Sequence, residues 1–254
     1  MVALTDHDTT AGWAAAAEAL PAGLSLVRGA EFSCLSVDGQ GKSLSVHLLA
    51  YLFDPEHPAV LAEQRRLRQE RRERLLRMAT RLADDGYPVD PTAFLGRLPA
   101  DLPVGRPHLA RALVEEGVAS SVNEVFVKLL HSSSPYYLPR ADTPVRRAIE
   151  MITAAGGVCV FAHPFARSRG RVVEPSTIEE LADAGLAGVE VDHPDHAPED
   201  RAALRGLADE LGLIVTGSSD YHGANKSIRI GAETTDPDAY HRLVEKARAI
   251  TVLG

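Results

Sequence analysis

Six residues able to ligate a metal stand at the ends of short apolar runs: His7, Glu31, His47, His163, Asp220 and His222. Met1-Val-Ala-Leu4 leads to Thr5-Asp6-His7, and Leu26-Val27 leads to Glu31. Ser43-Leu-Ser-Val46 leads to His47, Val158-Cys-Val-Phe161 to His163, and Leu213-Ile-Val-Thr216 to Asp220-Tyr-His222. One histidine at a strand end is usually a hydrogen-bonded structural residue. It is the placement shared by six groups that points to metal. Imidazole with carboxylate, and no thiolate required, suits Zn, Mn or Fe.

These groups are far apart in sequence, so buried strands must bring them together. Runs rich in Val, Leu and Ile read as such strands. Polar residues at the carboxyl ends of parallel strands converge on one face of an α/β barrel. Residues 1–53 alternate strand and helix, with a helix over 9–20 capped by Thr9 or Thr10 and strands near 24–27, 31–36 and 43–52. Asp38-Gly39-Gln-Gly41 reads as a hairpin turn. Residues 57 to about 150 lack a strand signal. They read as a long helix over 59–85 ended by Gly86, then shorter helices over 107–116 and 122–130. The arginines from Arg65 to Arg81 predict a solvated face paired with Glu63, Glu70 and Glu73. A helix over 145–155 follows. Then come strands 158–161, 186–191 and 213–216, interleaved with helices 175–184, 198–211 and 236–248, and a last strand near 250–253. Alternation of this kind predicts a parallel sheet curled into a barrel.

Composition narrows the setting. The 254 residues can bury one elaborated core or two smaller ones. No apolar run approaches the ~18 residues of a membrane span, and no secretory signal opens the chain. Cys34 and Cys159 make no disulfide framework; they read as small core residues. A soluble, reducing, cytoplasmic setting is expected, with no membrane partner. A net charge of -8 argues against coating long nucleic acid. It still allows a phosphorylated substrate, because bound divalent metals reverse the local sign. Nothing in the sequence sets an oligomeric state.

Five motifs occur together: Thr5-Asp-His-Asp-Thr9, Gly29-Ala-Glu31, His47-Leu-Leu-Ala-Tyr51, Phe161-Ala-His-Pro164 and Gly217-Ser-Ser-Asp-Tyr-His-Gly223. Their order and spacing resemble the polymerase-and-histidinol-phosphatase (PHP) phosphoesterases over essentially the whole chain. The helical insertion, with Gly105-Arg-Pro-His-Leu-Ala-Arg-Ala-Leu113, narrows the likeness. It resembles the branch that removes the 3′-phosphate from nucleoside 3′,5′-bisphosphates and trims short RNA from its 5′ end. The resemblance implies an α/β fold, a distorted (β/α)7 barrel with up to three metals at the strand ends. Residues 1–56 and 146–254 would form the barrel, and residues 57–145 an all-helical insertion covering the substrate site. Glu31 would bridge two metals, His47 and His163 would complete one of those sites, and Asp220 would serve the other. His7 and His222 would hold the third. The family's first strand carries His-x-His with an aspartate soon after, and this chain lacks all three ligands. Two expectations compete: a start lying about one βα unit upstream, or a fragment of low activity.

The chemistry expected is direct attack of a metal-bound hydroxide on phosphorus, with no phosphoenzyme. The cofactors would be two to three divalent ions of Mn, Zn or Fe. Arg106 is the expected phosphate clamp, because guanidinium meets phosphate in a bidentate fork. His108 would orient phosphate or protonate the leaving oxygen. Lys226 would meet a second phosphate, and His193 and His196 would line the pocket. The substrate would be a small phosphorylated nucleotide or a short oligonucleotide. Alternatives are another small phosphate ester, such as histidinol phosphate, and an inactive domain that binds a nucleotide or a partner protein.

Overall fold

A computed structural model describes residues 1–99, 102, 104–223 and 227–254. The chain forms two compact units, residues 1–61 with 142–254, and residues 62–141.

The first unit is built on a seven-stranded sheet, which curls as a half-barrel. Its path runs through β1 (Val2–Leu4), β2 (Leu26–Val37), β3 (Ser43–Tyr51), β5 (Val158–Ala162), β6 (Gly188–Asp192) and β7 (Ile214–Gly217), with β4 (Thr143–Pro144) beside β2. The β1·β2, β5·β6 and β6·β7 pairs are parallel. Strand β3 is antiparallel to both β2 and β5, so the sheet is mixed rather than all-parallel. The cause is the expected hairpin turn. Asp38 Oδ1 accepts from the Gln40 and Lys42 N–H groups, and Gly41 sits at φ 73°. So short a link cannot make the crossover that parallel neighbours need.

Helices pack on the sheet through apolar stripes. In α6 (Val145–Ala154) the buried residues Val145, Ala148, Ile149 and Ile152 keep the i, i+3, i+4, i+7 spacing of one face. They join Phe32, Leu48, Phe53 and Phe161 in the main core. Helices α7 (Pro175–Asp183), α8 (Pro198–Leu211) and α9 (Pro237–Lys246) follow their strands as the alternation predicts. Two expectations shrink. Helix α1 covers only Trp13–Glu18, with Gly12 rather than a threonine at its cap. Its start is set by Trp13, whose buried indole donates to the Gly29 carbonyl. The last strand reduces to a single bridge between Leu26 and Leu253.

Helix α2 (Pro58–Asp84) begins in the first unit and runs through the second. There Leu75, Met78, Ala79 and Leu82 form its buried stripe, clustered with residues of α4 (Arg106–Glu115) and α5 (Val122–Lys128). Helix α3 (Pro91–Gly96) is capped by Asp90, whose carboxylate accepts from the Thr92 and Ala93 N–H groups. The α2 arginines do more than pair along a wet face. Arg72 donates to the Leu95 and Pro99 carbonyls, Arg74 to Leu138 and Arg81 to Pro135. They tie loops of the helical unit to its long helix. Among the described residues no helix is long and apolar enough to cross a membrane.

Candidate metal centre

Strand register places the first candidate ligands. Ser33 on β2 faces His47 on β3, and Glu31 lies two residues before Ser33, on the same face. Diagonal neighbours of this kind touch across an antiparallel pair. His47 also pairs with Ala162, the residue before His163. Residues 6–8 run alongside Glu31, whose N–H donates to the Asp6 carbonyl while Asp8 N–H donates to the Glu31 carbonyl. The buried Asp8 carboxylate then accepts the Ser33 N–H at 2.7 Å. This lacing brings His7 to the centre.

The resulting distances are short. Glu31 Oε1 lies 2.6 Å from His47 Nδ1 and 3.3 Å from His163 Nε2, and Glu31 Oε2 lies 3.8 Å from His7 Nε2. His47 Nδ1 and His163 Nε2 are 3.3 Å apart. The His7 ring centroid is 4.9 Å from that of His47 and 6.3 Å from that of His222. The ligand atoms of His7, Glu31 and His47 are close enough together to hold one ion, and the His163 distances add it to the same cluster.

Two buried carboxyls here go opposite ways. Burial raises the Glu31 pKa, but hydrogen bonds from His163 and His47, with the charges of His47 and His7, outweigh it and hold the carboxyl well below its usual range. Glu190 on β6 is pushed up to about 8, first by burial and then by the Glu31 charge. Its oxygen accepts the His163 N–H at 2.8 Å. Glu31 is thus the ionised carboxyl and Glu190 the neutral one, which orients the His163 backbone. His163 and Asp220 both take positive φ, 29° and 48°. Such conformations cost about 1 kcal/mol or more in residues with a Cβ and concentrate at functional sites.

A second cluster adjoins the first, built on the turn after β7. A Cβ on Gly217 would meet the Thr234 carbonyl oxygen at 2.4 Å, so the turn depends on glycine there. His222 Nδ1 lies 3.1 Å from Asp220 Oδ1, and His193 Nε2 lies 3.4 Å from Asp220 Oδ2. Asp195 N–H donates to His193 Nδ1, which leaves the proton of the neutral ring on Nε2, facing Asp220. Ligand atoms of His193, Asp195 and Asp220 are also close enough together to hold an ion. Arg169 reaches into this cluster, donating to Asp195 Oδ2 at 2.6 Å and to Asp220 Oδ2 at 2.5 Å. A cleft of about 610 Å³, lined by Arg169, His193, Asp195, Ser219, Asp220 and Ile228 among others, opens beside it. That is the size range of small-ligand sites.

The residues fit a divalent metal. Three imidazoles surround a carboxylate that stays ionised although buried, and an ionised carboxylate out of water needs a cation. This N and O donor set suits Zn, Mn or Fe.

The remaining expected residues fall elsewhere. Arg106 and His108 belong to the helical unit. The Arg106 guanidinium donates to the Leu130 carbonyl at 2.9 Å and lies over the Phe126 and Tyr137 rings. His108 Nδ1 accepts the Gly105 N–H, and burial lowers its pKa, so the ring is neutral with Nε2–H as its donor. His196 is buried, with Nδ1–H donating to Val191 and Nε2 accepting from Phe165 N–H. Both ring nitrogens are thereby used to tie β6 to the loop after β5, and His193 is the ring that reaches Asp220. Lys226 lies outside the described residues. Glu190, Asp195 and Arg169 were not picked out from the sequence. Val191-Asp-His-Pro-Asp-His196 at a strand end carried a signal for Asp195, whereas Glu190 reads as one polar residue in an apolar strand.

Known proteins are similar to this chain over most of its length. The chain is 32% identical over 240 residues to a 3′,5′-nucleoside bisphosphate phosphatase of Chromobacterium violaceum, covering 93% of this chain and 81% of that one. It is 31% identical over 224 residues to a phosphoribosyl 1,2-cyclic phosphate 1,2-diphosphodiesterase of Eggerthella lenta, with coverages of 87% and 82%. It is 30% identical over 235 residues to the 5′-3′ exoribonuclease Rnm of Escherichia coli, with coverages of 91% and 78%. A solved structure from Bifidobacterium adolescentis, described as a metal-dependent phosphoesterase, superposes with a TM-score of 0.86 at 34% identity, covering 97% of this chain and 86% of that one. No family model matches the chain. With this extent of likeness, and with the histidines and carboxylates brought together by the sheet, the chain belongs to the PHP-type phosphoesterases.

Proposed function

We propose that this protein is a metal-dependent phosphoesterase that hydrolyses phosphate from nucleoside 3′,5′-bisphosphates or short oligonucleotides. The observation that carries the reading is the buried, ionised Glu31 ringed by His7, His47 and His163, next to a second acidic cluster and a cleft of nucleotide size. The names of the C. violaceum and E. coli relatives support the nucleotide class of substrate.

A phosphate ester carries negative charge that repels a nucleophile. Divalent metal held by Glu31, His47 and His163, with His7, Asp220 and His222 as the further ligands, would offset that charge and acidify water. The protein's own groups set the geometry. Glu190 holds the His163 backbone, and Asp8 ties β2 to the loop that presents His7. His193 offers Nε2–H toward Asp220 and borders the cleft. Arg106 and His108 are our candidates for the substrate phosphate, with the neutral His108 acting as a hydrogen-bond donor rather than an acid. Lys226 is the candidate for a second phosphate.

The test is phosphate release from adenosine 3′,5′-bisphosphate with added Mn²⁺, Zn²⁺ or Fe²⁺, run beside histidinol phosphate and a 1,2-cyclic phosphate of ribose. Turnover of the bisphosphate that a chelator abolishes supports the reading. Preference for histidinol phosphate or the cyclic ester moves the substrate class within the family. Nucleotide binding without turnover of any of the three makes the domain a binding module.

A further inference from the structure

Resting on the metal-centre reading above, we propose that Arg169 is an internal cation that competes with divalent metal for the Asp220 side of the centre. Metal loading turns its guanidinium into the adjoining cleft, where it takes the charge of a phosphate.

One guanidinium touches three groups. Its Nε donates to Asp195 Oδ2, one Nη to Asp220 Oδ2 and the other Nη lies 3.2 Å from His163 Nε2. Two of these three, Asp220 and His163, are expected metal ligands. The His163 Nε2 that a metal would take already has this guanidinium 3.2 Å away and the Glu31 carboxylate 3.3 Å away. The Asp220 Oδ2 atom likewise has a donor only 2.5 Å away. The charge of the guanidinium balances the facing carboxylates as a metal would, so the two cations exclude each other.

The chain around Arg169 lets the side chain leave without disturbing the sheet. Arg169 ends a 3-10 turn, Arg167–Arg169, and is followed by Gly170 at φ 128°. A Cβ at Gly170 would meet nothing within 4 Å. On either side the backbone is anchored, with Arg167 paired to Asp200 and Arg171 to Asp38 and the Ser43 carbonyl. The Arg169 side chain is one-third exposed and already lines the cleft. A phosphate in that cleft offers the planar acceptor pair a guanidinium favours. Metal and phosphate then help each other bind, since each holds Arg169 away from the position the other opposes, and the coupling is reciprocal.

Calorimetric titration of Mn²⁺ into chelator-treated wild type, R169Q and R169M tests this. Each titration is run in sodium chloride and in sodium sulfate of equal ionic strength, sulfate serving as a soluble oxyanion probe. Glutamine keeps a polar end and methionine an unbranched stem, and circular dichroism with thermal melting checks that each is folded. The expected result is a metal equivalent bound about tenfold or more tightly in the variants than in wild type in chloride, with sulfate tightening wild type alone. Equal or weaker metal binding by folded variants overturns the proposal. E31Q separates the two readings. If wild type binds no Mn²⁺, or E31Q binds it as wild type does, the metal centre itself falls and the Arg169 role with it. If E31Q alone loses metal while R169Q matches wild type, only the Arg169 role falls.

Discussion

Replacing Glu190 with glutamine removes a buried carboxyl but keeps an oxygen to accept the His163 N–H. Glu190 is 2% exposed, and its pKa rises from 4.5 to about 8, first through burial and then through the Glu31 charge. Between those two pH values the folded protein holds a proton that the unfolded chain has released. The stability tied to the protonated carboxyl is fully present below pH 4.5 and is lost as pH rises toward about 8. The slope is about 1.4 kcal/mol per pH unit, and the whole interval amounts to about 5 kcal/mol. Glutamine has no such proton. In urea denaturation with chelator present, E190Q should therefore gain about 4 kcal/mol on wild type between about pH 5 and about pH 8, with the two proteins converging at the acid end. A difference constant to within about 1 kcal/mol over that range would show Glu190 ionised in the fold and refute the division of roles between Glu190 and Glu31. Repeating the series with Mn²⁺ should narrow the window, because a cation at Glu31 offsets the second cause of the shift and leaves burial in place.

Four further outcomes follow from particular contacts. E31Q should lower phosphate release about 1,000-fold and reduce bound metal by elemental analysis, since it removes the carboxylate that His7, His47 and His163 share; a normal metal content would remove Glu31 from the centre. H108Q, if His108 serves the substrate as a donor, should raise KM with little change in kcat, and an alkaline shift of the kcat profile would instead restore it as an acid. R106A should destabilise the helical unit by about 1–3 kcal/mol through its lost Leu130 bond and ring contacts, whereas R106K, nearly neutral in thermal melting, should raise KM if the group also clamps phosphate. G157A should cost about 2 kcal/mol or more in chemical denaturation, because its Cβ would sit 2.5 Å from the Phe53 Cβ and 2.9 Å from Ile152; a neutral result would mean that the core there gives way easily.

Much of this protein is local information. Ligand types beside apolar runs marked Glu31 and the histidines now found around it, although Glu31 and His47 lie within β2 and β3 rather than at their ends, where strand pairing brings them together. The Asp38–Gly41 turn, the Gly86 helix end at φ 86° and the boundaries of α2 and α8 depend on nearest neighbours, and they were legible as turn and cap chemistry. Even α3, which was overlooked, had its signal in the Asp90-Pro91 cap.

What tertiary structure decided is long-range. Strand direction was one such matter: β3 reverses between β2 and β5, and only pairing fixes which neighbours it takes. The roles of similar side chains were another. Glu31 and Glu190 are both carboxyls on apolar strands, and the count of imidazoles around each makes one ionised and the other neutral. His193 and His196 are three residues apart, yet one faces Asp220 while the other spends both nitrogens on backbone groups of β6 and of the loop after β5. Arg169 is one of several arginines in a short loop, and only the path of that loop past Asp195 and Asp220 gives its charge a place in the centre. Sequence by itself determined which chemistry was available and where elements begin and end, because those depend on residue type and on neighbours a few positions away. The fold alone decided which groups share a charge, a lone pair or a proton, because that depends on distances between residues far apart along the chain.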